Sequence, residues 1–247
     1  MKGQLYLNIL LNLIILFLHL DFTFPQIKDF RVSTLNIDDG LSQNQVLCIY
    51  EDSKGLLWIG TQDGLNLYDG YKFKVFRHEP GNKNSLLDYA VNTVCETDTG
   101  IFWIGTRAGL SRYDLRSGEF VHYVQNVDSS NSLVDNYVWA ILKDSEGNLW
   151  IGTRNGLSHF NSSTKSFKNY KHNSSTSNSI SHNFILSLVE DKNKNIWIGS
   201  RGGLDRYDLR QKKIFNYKLF PEKPNDISLN GIMSLCIKNE VLWIGSY

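Results

Sequence analysis

Cysteine is nearly absent from the 247 residues: Cys48, Cys95 and Cys236 make an odd number, with no Cys-x-x-Cys spacing and no adjacent histidine pair. That spacing excludes a structural metal site, and a disulfide framework is the lesser reading of three cysteines that each sit inside an apolar run. Charge of one sign is lacking too: 26 basic and 25 acidic side chains leave a net +1. So balanced a chain has no field to hold a phosphate backbone, and nucleic acid is not an expected partner. Proline is scarce, at 4 residues against 19 glycines. Past Pro25 no apolar run approaches 18 residues, so that remainder reads as soluble. Five histidines beyond that point, His78, His122, His159, His172 and His182, have no metal-ligand spacing, and no Gly-x-Ser-x-Gly elbow occurs. No cofactor and no metal are expected.

One long apolar run is present, and it comes first. Leu5 to Leu20 follow a single charge at Lys2 and precede Asp21 and Pro25, so residues 1–25 read as a secretory signal peptide. A permanent membrane helix is the alternative, but Asn8, Asn12 and His19 interrupt a stretch already short for a ~30 Å hydrocarbon core. The rest is rich in aromatics: 13 Phe, 12 Tyr and 6 Trp reach 13% of the chain. With many glycines and few prolines, that composition favours strands joined by tight turns.

The aromatics are periodic. Trp-Ile-Gly begins at Trp58, Trp103, Trp150, Trp197 and Trp243, at spacings of 45, 47, 47 and 46. A Ser or Thr follows each triplet, Gly-Leu follows at 64, 109, 156 and 203, and then Tyr-Asp at 68, 113 and 207, with Phe160-Asn161 in the third copy. Upstream an apolar pair three residues apart recurs, from Val46 and Ile49 to Ile232 and Leu235. An aromatic closes each unit at Phe76, Tyr123, Tyr170 and Tyr217, ten residues before the next apolar anchor. Such a period marks a repeat architecture.

Each unit reads as four short strands between turn signals. Gly55, Gly100 and Gly147 supply a positive φ for the first turn; Lys194 stands there in the fourth copy, and Asn193 or Asn195 is expected to take the left-handed conformation instead. In the second strand Leu57 and Ile59 face one side while Trp58 and Gly60 face the other, so both faces are apolar or small. A sheet wetted on one face would alternate apolar with polar. Such sheets need covering on both faces, and stacking them side by side in a β-propeller does that. The five triplet tryptophans are then structural; each buries ~200 Å², on the order of 5 kcal/mol before entropy. Trp139 lies outside the triplets and faces either the core or the central channel.

The string Asn-x-Val-x-x-Ile-x-Glu-Asp-x-x-Gly-x-Leu-Trp-Ile-Gly-Thr-x-x-Gly-Leu-x-x-Tyr-Asp, nearly whole at Asn44 to Asp69 and at Asn136 to Asn161, resembles the two-component regulator propeller repeat. The resemblance covers about residues 27–247. It implies an all-β propeller of four-stranded antiparallel blades and the periplasmic sensor part of a hybrid two-component sensor histidine kinase. Family members commonly answer to oligosaccharides, so an oligosaccharide ligand is implied, with the rest of the sensor kinase, or a second copy of the chain, as protein partner. The second propeller, the immunoglobulin-like module, the membrane helix and the kinase and receiver parts of such a parent have no counterpart in these residues.

Blades are expected at about 41–77, 86–124, 133–171, 180–218 and, incomplete, 227–247. Residues 28–36 read as a closing strand of a last blade that is not encoded, since Phe30 to Leu35 look like a fourth strand without its first three. This makes about four and a half blades, an open arc or fragment of a seven-bladed ring that cannot signal alone and exposes apolar faces at both ends.

Strand direction brings the turn between strands two and three to the same face as the crossovers, which are rich in Asn and Ser and suited to sugar hydroxyls. Arg107, Arg154 and Arg201 share one turn position there, with Gln62 in the first copy. They either grip a sulfate or uronate or tie a neighbouring blade's Asp or carbonyls. Asn44, Asn136 and Asn183, with Tyr89 in the second copy and Asn230 in the fifth, precede the innermost strand, either as turn formers or as sugar contacts. Tyr89, Tyr137 and Phe184 are the rings expected to stack on a sugar, if they are not core aromatics. No catalytic residue is expected. The patterned carboxylates, Asp52, Asp144 and Asp191 or Asp69, Asp114 and Asp208, recur with the repeat, whereas a catalytic pair should be unique. The rival readings are a propeller lyase or glycosidase and a protein-binding scaffold.

Overall fold

A computed structural model describes residues 32–223 and 226–246. The leader and residues 28–31 of the expected closing strand lie outside them. In the first repeat β1 (Val46–Glu51), β2 (Leu57–Thr61), β3 (Gly64–Tyr68) and β4 (Phe73–Phe76) pair in chain order as an antiparallel sheet. The second repeat forms β5 (Val91–Asp98), β6 (Ile101–Thr106), β7 (Leu110–Asp114) and β8 (Glu119–Tyr123). The third forms β9 (Val138–Lys143), β10 (Leu149–Thr153), β11 (Gly156–Asn161) and β12 (Ser166–Tyr170). The fourth forms β13 (Ile185–Glu190), β14 (Asn195–Ser200), β15 (Gly203–Asp208) and β16 (Lys213–Tyr217). A single helical turn, α1 (Ile227–Asn230), leads to a two-stranded fifth sheet, β17 (Ile232–Lys238) and β18 (Val241–Ser246). No helix among the described residues is long and apolar enough to cross a membrane.

The first strands touch in sequence, β1 to β5, β5 to β9, β9 to β13 and β13 to β17, so the sheets stack as propeller blades. Residues 32–36, the described part of the expected closing strand, carry no strand, in contrast to that expectation, and Val32 is exposed.

Turn chemistry explains the motif. The hydroxyl after each of the first four triplets donates to a carbonyl three residues on: Thr61, Thr106, Thr153 and Ser200 to Gly64, Gly109, Gly156 and Gly203. Those glycines have φ between +117° and +145°, and a Cβ on Gly64 would meet the Phe76 carbonyl at 2.5 Å. In the first turn, Asp52 Oδ1 accepts from the Lys54 and Leu56 N–H groups while Oδ2 accepts from the Trp58 indole at 3.0 Å. Asp144 and Trp150, and Asp191 and Trp197, repeat this at 2.9 Å. The second copy has Thr97 at that place and the fifth has Ile237. Asp69, Asp114, Asn161 and Asp208 accept two backbone N–H groups each in the turn before the fourth strand. The patterned carboxylates thus organise turns.

One turn differs from the sequence expectation. Lys194 itself adopts φ 64°, and neither flanking Asn does. The Asp191 carboxylate accepts from the Asn193 and Asn195 N–H groups, and the Lys194 N–H donates to the Asp191 carbonyl; this bonding sets the backbone whichever side chain stands there. Asn195 instead turns its amide onto the same carboxylate.

Between blades, Trp and Gly of the second strand face forward and the flanking apolar residues face back. Trp58 packs with Val91, Phe102, Ile104 and Tyr113 of the next blade, its ring 4.1 Å from Phe102. Trp103 and Trp150 lie in the corresponding clusters. The glycine allows the approach: a Cβ on Gly105 would lie 2.5 Å from Val138 Cγ1, and one on Gly152 2.7 Å from Ile185 Cγ2. Around the rim, Glu96 accepts from Ser53, and Glu190 from Ser145, through backbone N–H and hydroxyl alike. Trp58 and Trp150 are fully buried and Trp103 nearly so, whereas Trp197 is half-buried beneath the two-stranded sheet and Trp243 is 62% exposed. At the other end Ile49 is 65% exposed where its counterpart Val94 is buried. The cysteines are free thiols, and burial pushes Cys48 up to about 11.

Three outcomes follow for purified protein in urea unfolding. Gly152→Ala lowers stability by ~1–3 kcal/mol through overpacking against Ile185; an unchanged midpoint would contradict the close approach. Lys194→Gly raises it by about 1 kcal/mol by relieving the left-handed lysine, and a loss would count against that geometry. Burial raises the Asp144 carboxyl, but the facing His159 ring, the Asn148 and Glu146 N–H groups and the Trp150 indole outweigh it and hold the group below its ordinary range; Asp191 is lowered in the same sense. A lowered folded value means that this stability is complete above about pH 4 and is lost as pH falls through the folded values. Buried Asp205 is raised and acts in the opposite sense, its contribution fading as pH rises. Asp144→Asn therefore shows a smaller drop in midpoint between pH 5 and pH 3 than the parent; an equal drop would refute the assignment.

Candidate ligand-binding site

The first strand of every blade carries a β-bulge at its second residue, seen as register shifts at 46–48, 91–93, 138–140, 185–187 and 232–234. A bulge re-aims its side chain. The bulged residues are Leu47, Asn92, Trp139, Leu186 and Met233, so only the third blade presents an aromatic. Trp139 lines a cavity of about 250 Å³ together with Tyr137, Arg154, Phe184 and Arg201. This settles the position of Trp139, which sequence alone leaves between core and channel; the bulge that aims it has no signature in the alternation of apolar residues.

The lining comes from two blades in matching pairs. Arg154 N–H donates to the Tyr137 carbonyl at 3.0 Å, and Arg201 N–H to the Phe184 carbonyl at 3.1 Å. Each pair thus joins the turn after the second strand to the residue just ahead of the first. Asp135 Oδ1 accepts the Tyr137 N–H and His182 Nδ1 the Phe184 N–H, both at 2.9 Å, so both aromatic backbones are held from either side. The rings form a continuous surface: Tyr137 and Trp139 stack at 5.3 Å and 18°, and Trp139 meets Phe184 at 5.6 Å and 45°. Guanidinium groups flank it, Arg107 5.9 Å from the Tyr137 ring centre and Arg201 4.4 Å from that of Phe184. These are cation–π contacts. Exposed Arg154 and Arg201 enter no ion pair with a carboxylate among the described residues, unlike Arg77 with Asp63 or Arg112 with Asp114. Of the two ties expected of these arginines as packing residues, to a neighbouring blade's Asp or to its carbonyls, no Asp tie of Arg154 or Arg201 is present among the described residues.

Trp139 Nε1 is buried and has no hydrogen-bond partner. An unpaired buried donor costs about 1–3 kcal/mol. The same environment pushes His182 down, first by burial and then through the positive fields of His172, Arg201 and Lys218.

Other expected contacts lie elsewhere. The amide oxygens of Asn44, Asn136, Asn183 and Asn230 accept backbone N–H groups of Ile37, Gln125, His172 and Phe220, clamping the preceding crossover. Tyr89 packs edge-on against His78 at 5.0 Å, outside the cavity. It stands one residue earlier in the repeat than Tyr137, whose true counterpart is Ala90. The polar crossover side chains mostly serve the loops: Ser85, Ser132 and Ser179 each bind both ends of their crossover, and Asn84, Asn131 and Asn178 accept from Phe120, Phe167 and Ile214 in the outer strands. The tryptophans 58, 103, 150 and 197 sit between sheets, away from this surface.

A family model described as two component regulator propeller matches residues 40–63, 132–155 and 179–202. The second and third stretches carry both aromatic–arginine pairs. Over 48 residues, 19% of this chain and 4% of the relative, the sequence is 50% identical to Histidine kinase P4 of Formosa agariphila. The fold is similar to that of the extracellular domain of hybrid two component system BT3049 from B. thetaiotaomicron, with a TM-score of 0.74 and 27% identity across 87% of this chain and 29% of that one. Virginiamycin B lyase from Staphylococcus aureus shares the fold alone, with a TM-score of 0.60 and 15% identity over 82% of this chain and 63% of that chain. The chain thus spans a small fraction of the curated relative's length and under a third of the first solved one.

Proposed function

We propose that this chain, built of two-component regulator propeller repeats, is a ligand-sensing segment of a two-component signalling protein, exported to the periplasm, and that it binds an oligosaccharide on the Tyr137–Trp139–Phe184 surface. The observation that carries the reading is the cavity itself: three aromatic faces side by side, a size suited to one or two sugar rings, and polar groups at the margins. Pyranose rings present C–H faces that pack on aromatic planes, and their hydroxyls accept from guanidinium groups. The site occurs once in the repeats because one bulge carries a tryptophan, as a specific recognition site requires. The apolar leader of residues 1–25 supports export, and the extracellular domain to which the fold is similar supports the same side of the membrane. A histidine kinase activity would belong to other parts of a parent protein.

The lyase and glycosidase readings have less support. Among the described residues no carboxylate lines the cavity, and the patterned carboxylates hold turns. Titration of the chain with a panel of neutral and acidic oligosaccharides, read by calorimetry and by tryptophan emission, tests the proposal. Saturable binding without turnover is expected, weakened at least tenfold in Trp139→Ala and less in Trp139→Phe. Absence of binding across the panel, or cleavage of any member, would overturn it.

A further inference from the structure

The lining of the cavity is chemically one-sided. The side-chain polar groups on its lining residues are two guanidinium groups, one phenol and an indole N–H buried beneath the surface, so donors dominate, and among the described residues no carboxylate or amide oxygen joins them. A ligand matched to such a set brings acceptors, and most effectively a charged one, because guanidinium groups bind carboxylate and sulfate in fixed bidentate geometry. Arg154 and Arg201 enter no ion pair among the described residues, and a third guanidinium, that of Arg107, lies 5.9 Å from the Tyr137 ring centre. The nearest carboxylate in sequence, Asp135, has one oxygen engaged by the Tyr137 N–H. In a chain whose net charge is only +1, two guanidinium groups without an ion pair among the described residues, set beside one aromatic surface, are a local feature.

We infer that the cavity selects an acidic saccharide: a ring stacked on Trp139 with its carboxylate or sulfate between Arg154 and Arg201. The inference rests on the oligosaccharide reading and adds the chemical class of its ligand. The aromatic surface supplies the contact that any pyranose makes, whereas the two arginines, contributed by adjacent blades, discriminate by charge. Trp139 Nε1 is buried and unpaired beneath this surface, so the ring offers the ligand its face and the arginines supply the polar contacts. Because the paired guanidinium groups come from the third and fourth blades, an anion bridging them also fixes the two blades against each other.

The test uses the whole chain and defined probes. Calorimetric dissociation constants are compared for an oligogalacturonate, the same oligosaccharide after carboxyl reduction, a sulfated galactan fragment and its desulfated form. The inference expects at least tenfold tighter binding of an acidic member than of its neutral counterpart, with the difference shrinking as salt rises. Which acidic member binds separates carboxylate from sulfate. Arg154→Gln combined with Arg201→Gln brings the acidic ligand down to the affinity of the neutral one, while Arg210→Gln, in the exposed turn after β15, keeps the difference. Equal affinity for acidic and neutral partners overturns charge selection and leaves the oligosaccharide reading standing. Failure of every probe to bind overturns both.

Discussion

The packing of one apolar sheet flat against the next governs the structure. It requires a large residue and no residue at all on the same face of the second strand, which Trp and Gly at positions one and three of each triplet provide. The indole fills the space toward the next blade while the glycine admits that blade's first strand, as at Gly105 against Val138 and Gly152 against Ile185. A carboxylate in the preceding turn then fixes the indole through its N–H, so the same Asp sets both the turn and the ring. Where the next sheet has two strands, at Trp197, burial weakens, and where no sheet among the described residues covers the face, at Trp243, the indole is 62% exposed. The gradient of exposure along identical triplets is the clearest sign that neighbours, and not the strand itself, bury these rings.

This constraint also places the candidate ligand site. Stacked blades bring the starts of successive first strands together, and the turn after each second strand closes back over them through the Tyr137–Arg154 and Phe184–Arg201 backbone bonds. The scaffold repeats and the site does not: the bulge exists in every blade, but Trp139 stands on it only in the third. Regular packing thus supplies rigidity, and one departure in residue type sets the proposed recognition surface apart.

Much of the fold was legible because its determinants are local. Trp58 and Gly60 on one face, the hydroxyl of Thr61 and the glycine at 64 each state a requirement within a few residues. Lys194 shows where local reasoning stops: the left-handed residue is chosen by bonds to Asp191, not by the residue's own preference. The site was half legible. Arg154, Arg201, Tyr137 and Phe184 could be picked by position and type, but the union of two blades around Trp139 depends on the bulge, and a bulge is a ladder irregularity that side-chain alternation does not encode. Tyr89 has the ring type of a stacking residue but stands at the Asn136 position, one residue ahead of that of Tyr137, and there its ring packs on His78.

The most direct measurement of the central claim is hydroxyl-radical footprinting of the native chain, read by mass spectrometry at each tryptophan. If neighbouring sheets bury the triplet rings, Trp243 is oxidised fastest, Trp197 more slowly, and Trp58 and Trp150 are protected until the chain unfolds. Oxidation of Trp58 or Trp150 as fast as Trp243 under native conditions would contradict the stacking on which both the fold and the placement of the cavity depend.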